Sequence, residues 1–452
     1  MERSIGVEPA LAPEAWGAGA DHTGLPPLAE RLKALRVLQA VVRHGSAVRA
    51  AEAIHLSQPA VTRAVLELER ACQTPLFVRG ARGMVPTPAG ARVGQRADTV
   101  FLVLAYGASE ALTAAPGEAL RPVQPERFAA AVSIGSLKAL TAVAAQGSEA
   151  RAAQALGVTQ PAVHAALQAL EHLLGLRLFY KSAQGTRLTP SGQALLRRVK
   201  LAFSEIRAIE GDIAAWRGEI RGRVVVGVLP LSVPLFLPRA VEALLQAHPS
   251  VEVQVVDGTY DSLLQQLLGA DIDVIAGALR AEAPPPEVRQ QCLFEDELAV
   301  VAQRGHPCLA LPAPTLRDLL RWDWVIPLPG SPAAAALARV FGEQGLPPPR
   351  GRLQAGSPTL TQAFIQQTGR LALASRGQAL AEREGPLCLV PVALPGTRRR
   401  IGTAVRALSE PAPELQRFLQ ACAAAVPAFL HGDAKAAEAD PAVAPGGHRQ
   451  DR

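Results

Sequence analysis

The chain has 452 residues, 49% of them apolar, and a formal net charge of +6, which is enough chain for roughly two to four domains. It contains no run of about 18 uncharged apolar residues, so no membrane span and no membrane partner are expected. Five widely spaced cysteines without a C-x-x-C pair argue against a disulfide framework or a zinc site, so we expect a cytoplasmic protein without metal or cofactor.

The N-terminal part of the chain contains a duplication. Residues 1–29 lack the basic start and apolar stretch of a secretory signal, and they predict a disordered leader. After it, LSQPAVTRAVLELE at residues 56–69 returns as VTQPAVHAALQALE at residues 158–171, an offset of 102 residues. The same offset aligns further identities over a much longer stretch, so a whole folding unit is repeated. We place its copies at residues 30–118 and residues 126–218.

Positive charge is concentrated in both copies. Residues 30–100 hold 11 Lys and Arg against 5 Asp and Glu, and residues 127–217 hold the same numbers. The rest of the chain is mildly acidic. A polyanion is therefore the expected partner of the front half of the chain.

The first copy predicts three short helices followed by a hairpin and a long helix. LKALRVLQAVVRHG has helical apolar spacing and ends at Gly45, and AVRAAEAIH follows Ser46. Ser57 caps the third helix, in which Pro59 takes a first-turn position. VRGARGMVPTP predicts a β-hairpin wing, and Thr87 caps the long helix. This order is that of a winged helix-turn-helix, whose third helix inserts into the major groove of DNA.

The spaced pattern S-Q-P-A-V-T-R, L-E, L-F-x-R and T-P-A-G resembles the DNA-binding domain of LysR-type transcriptional regulators. The resemblance implies double-stranded DNA as the partner, with the third helix reading bases and the wing contacting phosphates. The candidate DNA-binding residues of the two copies are Ser57, Gln58, Pro59, Thr62, Arg63, Arg79, Arg82, Thr159, Gln160, Pro161, His164, Lys181 and Arg187.

The second copy keeps the pattern but changes its reading residues. His164 and Ala165 stand where the first copy has Thr62 and Arg63. We therefore expect altered or weaker sequence preference, and the alternative is a protein-interaction or dimerising module, with only the first copy reading DNA. The helix after Thr189 carries an apolar stripe and resembles the family's dimerising linker helix, which implies a homodimer or homotetramer. The stripe comprises Leu195, Val199, Phe203, Ile206, Ile209 and Ile213.

Residues 222–430 alternate predicted strands and helices, which is typical of a parallel α/β sheet. They resemble the two-lobed, periplasmic-binding-protein-like (type 2) effector domain of the same family, most of all its galactose-binding-protein-regulator branch. A small-molecule effector, a sugar or an organic acid, would bind beyond the carboxyl ends of the strands. The candidate positions are Leu229, Pro230, Ser232, Thr259, Tyr260, Gly330, Ser331, Ser357 and Thr359, for which simple helix capping is the alternative. Residues 432–452 predict a disordered tail.

The sequence gives no sign of enzymatic chemistry. It has no H-E-x-x-H, no G-x-S-x-G elbow and no Walker loop, so no catalytic residue is expected. A solute-binding transport protein shares the C-terminal fold but would need an export signal, which we do not find. The fold class expected is two winged helix-turn-helix domains followed by a two-lobed α/β domain. The function expected is effector-controlled transcriptional regulation.

Overall fold

The computed structural model describes residues 27–80, 83–116, 123–182, 185–229, 231, 233–280, 284–381 and 385–426. These residues form two compact units, with the boundary between Ile220 and Arg221. The predicted tail at residues 432–452 and most of the predicted leader lie outside the described residues. Residues 27–29, which the leader prediction includes, instead open a 3-10 helix, Pro27–Arg31, in which Leu28 and Ala29 are buried.

The first copy folds as a winged helix-turn-helix followed by a long helix. Its buried apolar residues recur at helical spacing, and Gly45 ends the first helix in the left-handed conformation. The elements are α1 (Leu32–His44), α2 (Ala47–Ala53), α3 (Gln58–Cys72), β1 (Phe77–Gly80), β2 (Gly83–Pro86) and α4 (Pro88–Thr113).

The second copy repeats this fold down to individual hydrogen bonds. The carboxylate of Glu69 accepts from the N–H of Leu76 at 2.9 Å, and that of Glu171 accepts from the N–H of Leu178 at 2.7 Å. Both bonds fix the turn between third helix and wing. The elements are α5 (Pro125–Ala131), α6 (Ile134–Gln146), α7 (Glu149–Leu156), α8 (Gln160–Leu174), β3 (Phe179–Ser182), β4 (Gly185–Leu188) and α9 (Pro190–Trp216).

No single helix in the described part of the chain is both long and apolar enough to cross a membrane. Among the described residues, α5 and α6 taken together reach that length and composition, and they meet at an angle of 98°.

The two long helices, α4 and α9, pack along each other in opposite directions. The hydroxyl of Ser191, at the start of α9, donates to the carbonyl oxygen of Ala111, near the end of α4, at 2.8 Å. At the other end, Nε of Arg92 lies 3.0 Å from a carboxylate oxygen of Asp212. The apolar stripe of α9 is buried, as the sequence predicts, and it packs along α4 of the same chain.

Ion pairs hold both ends of the α4–α9 pair, one of them buried and the other partly buried. Arg96, with 2% of its side chain exposed, donates to Asp212 and, at 3.1 Å, to Glu205. Burial would lower the pKa of Arg96, but these two carboxylates outweigh it and raise the pKa. At the other end Arg198 donates to Glu110. The offset of 102 relates Arg96 to Arg198 and Glu110 to Asp212, so one ion pair occurs twice, as a two-fold axis would place it.

The second unit contains two lobes, each built on a five-stranded sheet. The strand orders are β6-β5-β7-β14-β8 and β11-β10-β12-β9-β13, and the chain crosses between the lobes at Glu297 and again between β13 and β14. Alternating strands and helices thus give the two-lobed α/β architecture that the sequence predicts. The elements are β5 (Gly222–Val228), α10 (Leu237–Ala247), β6 (Val251–Asp257), α11 (Tyr260–Leu268), β7 (Val274–Ala278), β8 (Val288–Asp296), β9 (Leu298–Gln303), α12 (Leu316–Leu319), β10 (Trp324–Ile326), α13 (Pro332–Glu343), β11 (Leu353–Gln354), α14 (Pro358–Thr368), β12 (Leu371–Ser375), α15 (Arg376–Ala381), β13 (Leu387–Leu389), β14 (Arg399–Arg406) and α16 (Pro413–Ala424).

We predict that Arg96→Ala destabilises the first unit by roughly 3 to 5 kcal/mol, because it leaves two buried carboxylates short of a cation. Arg43→Ala is the matched control, since its ion pair with Asp98 is more than half exposed, and it should cost less than about 1 kcal/mol. Urea unfolding followed by helical circular dichroism measures both. Equal losses for the two variants would contradict the role of the buried pair.

Candidate nucleic-acid interface and effector cleft

The third helix of the first copy, α3, presents the predicted reading residues on its outer face. The hydroxyl of Ser57 accepts from the N–H of Ala60 at 3.4 Å, which caps the helix. Gln58 and Arg63 are exposed, and Thr62 is half-buried. Pro59 is exposed too. The opposite face packs into the module with Val61, Val65 and Leu68 fully buried, so the polar face is held outward by the core.

The wing of the first copy is anchored to the body of the module. The N–H of Met84 in β2 donates to the carbonyl oxygen of Gly45, at the end of α1, at 3.2 Å. Arg79 lies in β1 and pairs with Met84 across the hairpin, and its side chain lies outside the described residues. Arg82 also lies outside them. The strand position of Arg79 places this residue in the wing, as predicted.

The second copy places its candidate residues on the equivalent surface. Thr159, Gln160 and Pro161 are exposed at the start of α8, and Lys181 and Arg187 are exposed on β3 and β4. Tyr180, which we did not select from the sequence, is 52% exposed and lies opposite Arg187 in the hairpin. An exposed aromatic ring beside a cation in the wing suits contact with a sugar-phosphate backbone. Side chains alternate between the two faces of a strand, so Tyr180 lies on the face opposite Phe179 and Lys181. This alternation is the signal that could have indicated that Tyr180 is exposed.

The reading helix of the second copy carries an acidic neighbour that the first lacks. Nδ1 of His164 lies 3.1 Å from a carboxylate oxygen of Glu149, in the first turn of α7. The equivalent position of the first copy is Ala47. A carboxylate next to the reading helix opposes a phosphate electrostatically. The second copy therefore combines a neutral Ala165 with a negative charge on the face where the first copy has Arg63.

The first copy is strained at both ends of its reading helix. His55, in the turn before α3, has φ 54°, and Gln73, which ends α3, has φ 50°. The second copy has Gly157 and Gly175 at these positions, with φ 65° and 67°. A residue with a Cβ pays a steric cost in this left-handed region that glycine does not. The copy with the stronger reading face thus has the less favourable backbone.

In the first lobe, the candidate effector residues lie at one edge of a parallel sheet. Leu229 follows β5, and Thr259 and Tyr260 follow the adjacent parallel strand β6. The N–H of Leu229 donates to the carbonyl oxygen of Ala276 in β7, at 2.9 Å, which extends the sheet to this edge. Pro230 and Ser232 lie outside the described residues.

Three of the candidate hydroxyls cap helices, which was the alternative reading of these positions. Thr259 Oγ1 accepts from the N–H of Ser262 at 3.3 Å. Ser331 Oγ accepts from the N–H of Ala334 at 3.2 Å, and Ser357 Oγ from that of Leu360 at 3.4 Å. A capping hydroxyl still has a donor proton to offer to a ligand. Gly330 has φ 78° just before the cap of α13, and Thr359 is exposed in the first turn of α14.

Sequence reasoning missed a cation at the same edge of the first lobe. The guanidinium carbon of Arg280, just after β7, lies 4.2 Å from the centre of the Tyr260 ring. Its position after the predicted strand IDVIAGAL is the signal that could have indicated it. The carboxyl edges of the two lobes meet, because the 3-10 helix Val233–Leu235 contacts α15 and Leu231 packs against the core of the second lobe. Arg280 therefore lies at the edge where the two lobes meet.

Comparisons with known proteins agree with this architecture. A family profile described as the LysR substrate binding domain matches residues 217–427. A profile described as bacterial regulatory helix-turn-helix protein, lysR family, matches twice, at residues 32–91 and 134–193. The HTH-type transcriptional regulator GalR of Pseudomonas putida is 34% identical over 372 residues, 82% of this chain and 91% of that protein.

Two further comparisons bear on the branch and the fold. GbpR of Rhizobium radiobacter is 27% identical over 248 residues, 54% of this chain and 82% of that protein. It is less similar than GalR, so the galactose-binding-protein-regulator branch stays a prediction. A full-length OxyR variant from Pseudomonas aeruginosa shares the fold, with a TM-score of 0.52, 18% identity, and coverage of 64% of this chain and 94% of that chain.

We predict that Gln73→Gly stabilises the first unit by about 1 kcal/mol, because it relieves the left-handed backbone at the end of α3. The reciprocal change, Gly175→Gln, should destabilise the unit by a similar amount. Urea unfolding of the two variants beside the unchanged chain measures both effects. A loss of stability in Gln73→Gly would show that the side chain of Gln73 contributes more than its backbone costs.

Proposed function

Because the chain belongs to the LysR family of transcriptional regulators, we propose that both of its winged helix-turn-helix modules contact double-stranded DNA in the cytoplasm, the first as the main reader of sequence. The family match makes the chain a DNA-binding transcriptional regulator with an effector-binding domain, in a family of regulators and not of enzymes. The observation that carries the proposal is the outward polar face of α3, held by a fully buried apolar face.

The proposed DNA contacts divide by their chemistry. Arg63 can reach a guanine edge or a phosphate, and Gln58 an adenine edge or a phosphate, from the exposed face of α3. The N–H groups at the start of α3 favour a phosphate. Arg79 and Arg82 in one wing, and Lys181 and Arg187 in the other, would neutralise phosphates and position the modules. Affinity then comes mainly from phosphates and specificity from the third helices.

The second module supports two proposals, and we favour DNA contact over a purely structural role. Its wing carries exposed Lys181 and Arg187, and Glu171 repeats the hydrogen bonds that Glu69 makes in the first copy. The pairing of His164 with Glu149 favours the alternative, in which the module only assembles with other protein surfaces. Both readings agree that this module contributes less sequence discrimination than the first.

The effector proposal rests on the edge where the two lobes meet. Arg280 provides a cation there, and the hydroxyls of Thr259, Ser331 and Ser357 provide hydrogen-bond donors at helix starts. A small organic acid suits this set better than a neutral sugar, because a carboxylate pairs with a guanidinium. Binding would bias the closure of the lobes and so the arrangement of the protein on DNA. A homodimer or homotetramer is the proposed assembly.

We predict that Arg63→Ala abolishes or broadens the choice of binding sites by the full-length chain, measured by genome-wide footprinting. Arg63→Lys is the sharper variant, since it keeps the charge and removes the two-pronged geometry. If Arg63 reads guanine, Arg63→Lys should lose specificity and keep nonspecific affinity. If Arg63 only contacts phosphate, Arg63→Lys should bind as the unchanged chain does.

The matched control is His164→Ala, for which we expect altered preference at a minority of positions. Footprints that survive Arg63→Ala and vanish in His164→Ala would reverse our ranking of the modules. Binding should also weaken steeply with salt, with a log–log slope of about −0.9 for each phosphate contacted. A flat salt dependence would instead favour an interaction module that does not bind DNA.

We predict that Arg280→Gln abolishes stabilisation by small organic acids. An effector at about 100 times its Kd should stabilise the unchanged chain by about 2.7 kcal/mol, seen as a rise in unfolding temperature. A screen of carboxylic acids and sugars on both proteins makes the measurement. Equal stabilisation of both proteins by the same acid would place its carboxylate elsewhere.

A further inference from the structure

The α4–α9 pair brings the two modules together within one polypeptide. In a dimer with a two-fold axis, each contact between positions i and j occurs twice. Here the pair Arg96–Asp212 and the pair Arg198–Glu110 are two such contacts, related by the offset of 102. The chain therefore contains the internal pseudo-symmetry of a dimer without a second chain.

The second copy follows closely after α4, which favours pairing of the two long helices within one chain. α4 ends at Thr113, and α5, the first element of the second copy, begins at Pro125 and packs back on α4. Phe128 of α5 is 1% exposed. The second copy thus begins on the surface of α4. Its own long helix, α9, can therefore pair with α4 of the same chain.

The contact surfaces of α4 and α9 are complementary rather than self-complementary. A Cβ on Gly107 of α4 would lie 2.9 Å from the Cβ of Arg198 and 3.1 Å from Cδ1 of Leu195 in α9. The equivalent position in α9 is Ile209, which is fully buried. Two α9 helices in register would place an isoleucine where only glycine fits.

Pairing of two α4 helices would also lose contacts. Glycine would replace the buried Ile209, and Val103 would stand where Glu205 supplies Arg96 with its second carboxylate. Gly107 meets the large side chains of α9, and Arg96 meets two carboxylates, only when α4 pairs with α9. The two copies have therefore diverged in a way that favours pairing with each other.

The antiparallel packing sets the distance between the modules. Each module joins the start of its long helix through a threonine, Thr87 or Thr189, whose hydroxyl caps that helix. The starts lie at opposite ends of the pair, because Ser191 lies opposite Ala111. About 24 residues of helix at 1.5 Å each separate them by roughly 36 Å. Successive major grooves on one face of B-DNA are about 34 to 36 Å apart.

We propose that one chain alone reads two unlike DNA half-sites, in fixed order and about one helical turn apart, with α3 on one and α8 on the other. The half-sites differ because Thr62 and Arg63 face the first, while His164 and Ala165 face the second. The binding site of one chain is therefore not a palindrome. This proposal rests on the DNA contact of both modules proposed above.

A disulfide between the long helices tests the pairing in the full-length chain. Gly107→Cys combined with Arg198→Cys places two thiols where α4 and α9 lie against each other, and Ala111→Cys with Ser191→Cys is the second pair. The single variants are controls for the native cysteines. We expect oxidation to crosslink each double variant at the mass of one chain. Crosslinks found only at the mass of two chains would overturn the proposal.

DNA selected by the full-length chain from a random-sequence duplex pool tests the reading. We expect the oxidised Ala111→Cys/Ser191→Cys variant to keep the affinity and footprint of the unchanged chain, with two protected patches one turn apart for each bound chain. Replacing the second half-site with an inverted copy of the first should weaken binding about tenfold or more. Equal binding to this palindrome, or loss of binding on oxidation that reduction restores, would overturn the proposal and leave DNA binding intact. A reduced, unmodified chain that selects no DNA would overturn the proposed function as well.

Discussion

The packing of α4 along α9 is the contact on which the architecture of the first unit depends. Each module is small, and its reading helix is oriented by a wing hydrogen bond and the start of a long helix, with the Ser57 cap added in the first copy. The long helices make the most extensive contact between the modules, and an ion pair between Lys138 of the second and Glu30 of the first adds to it. Buried Arg96, paired with Asp212 and Glu205, and partly buried Arg198, paired with Glu110, fix the register of that joint. A buried ion pair specifies alignment because misalignment leaves a charge without a partner.

Much of the fold could be predicted from local signals in the sequence. Ser57 and Thr87 cap helices where the sequence places them, and apolar spacing located the buried faces of α1 and α3. The two-lobed domain followed from alternating strands and helices. These features are encoded within a few residues of where they act. The duplication also predicted that the same turn and wing would form in both copies.

The partners of exposed stripes and charged side chains could not be predicted in the same way. The stripe of α9 indicated a paired helix, but nothing in its spacing says whether the partner lies in the same chain. The contact of His164 with Glu149 joins two helices, and the stacking of Arg280 on Tyr260 joins the ends of two strands. Each depends on three-dimensional proximity between segments that carry no shared local pattern. From residue type alone, His164 was predicted to contact DNA, and Arg280 was not selected as a candidate.

The covalent joint between the modules has an effect on which molecules can assemble. Regulators that associate through similar helices on separate polypeptides can exchange subunits with their relatives. Here α4 meets α9 at an intramolecular concentration on the order of millimolar. Other regulators with similar helices in the same cell therefore compete poorly for α4 or α9. Because both modules are translated as one polypeptide, they are always present in a one-to-one ratio. In a symmetric dimer both reading helices have the same sequence. Here α3 and α8 differ, so each can change its sequence preference independently.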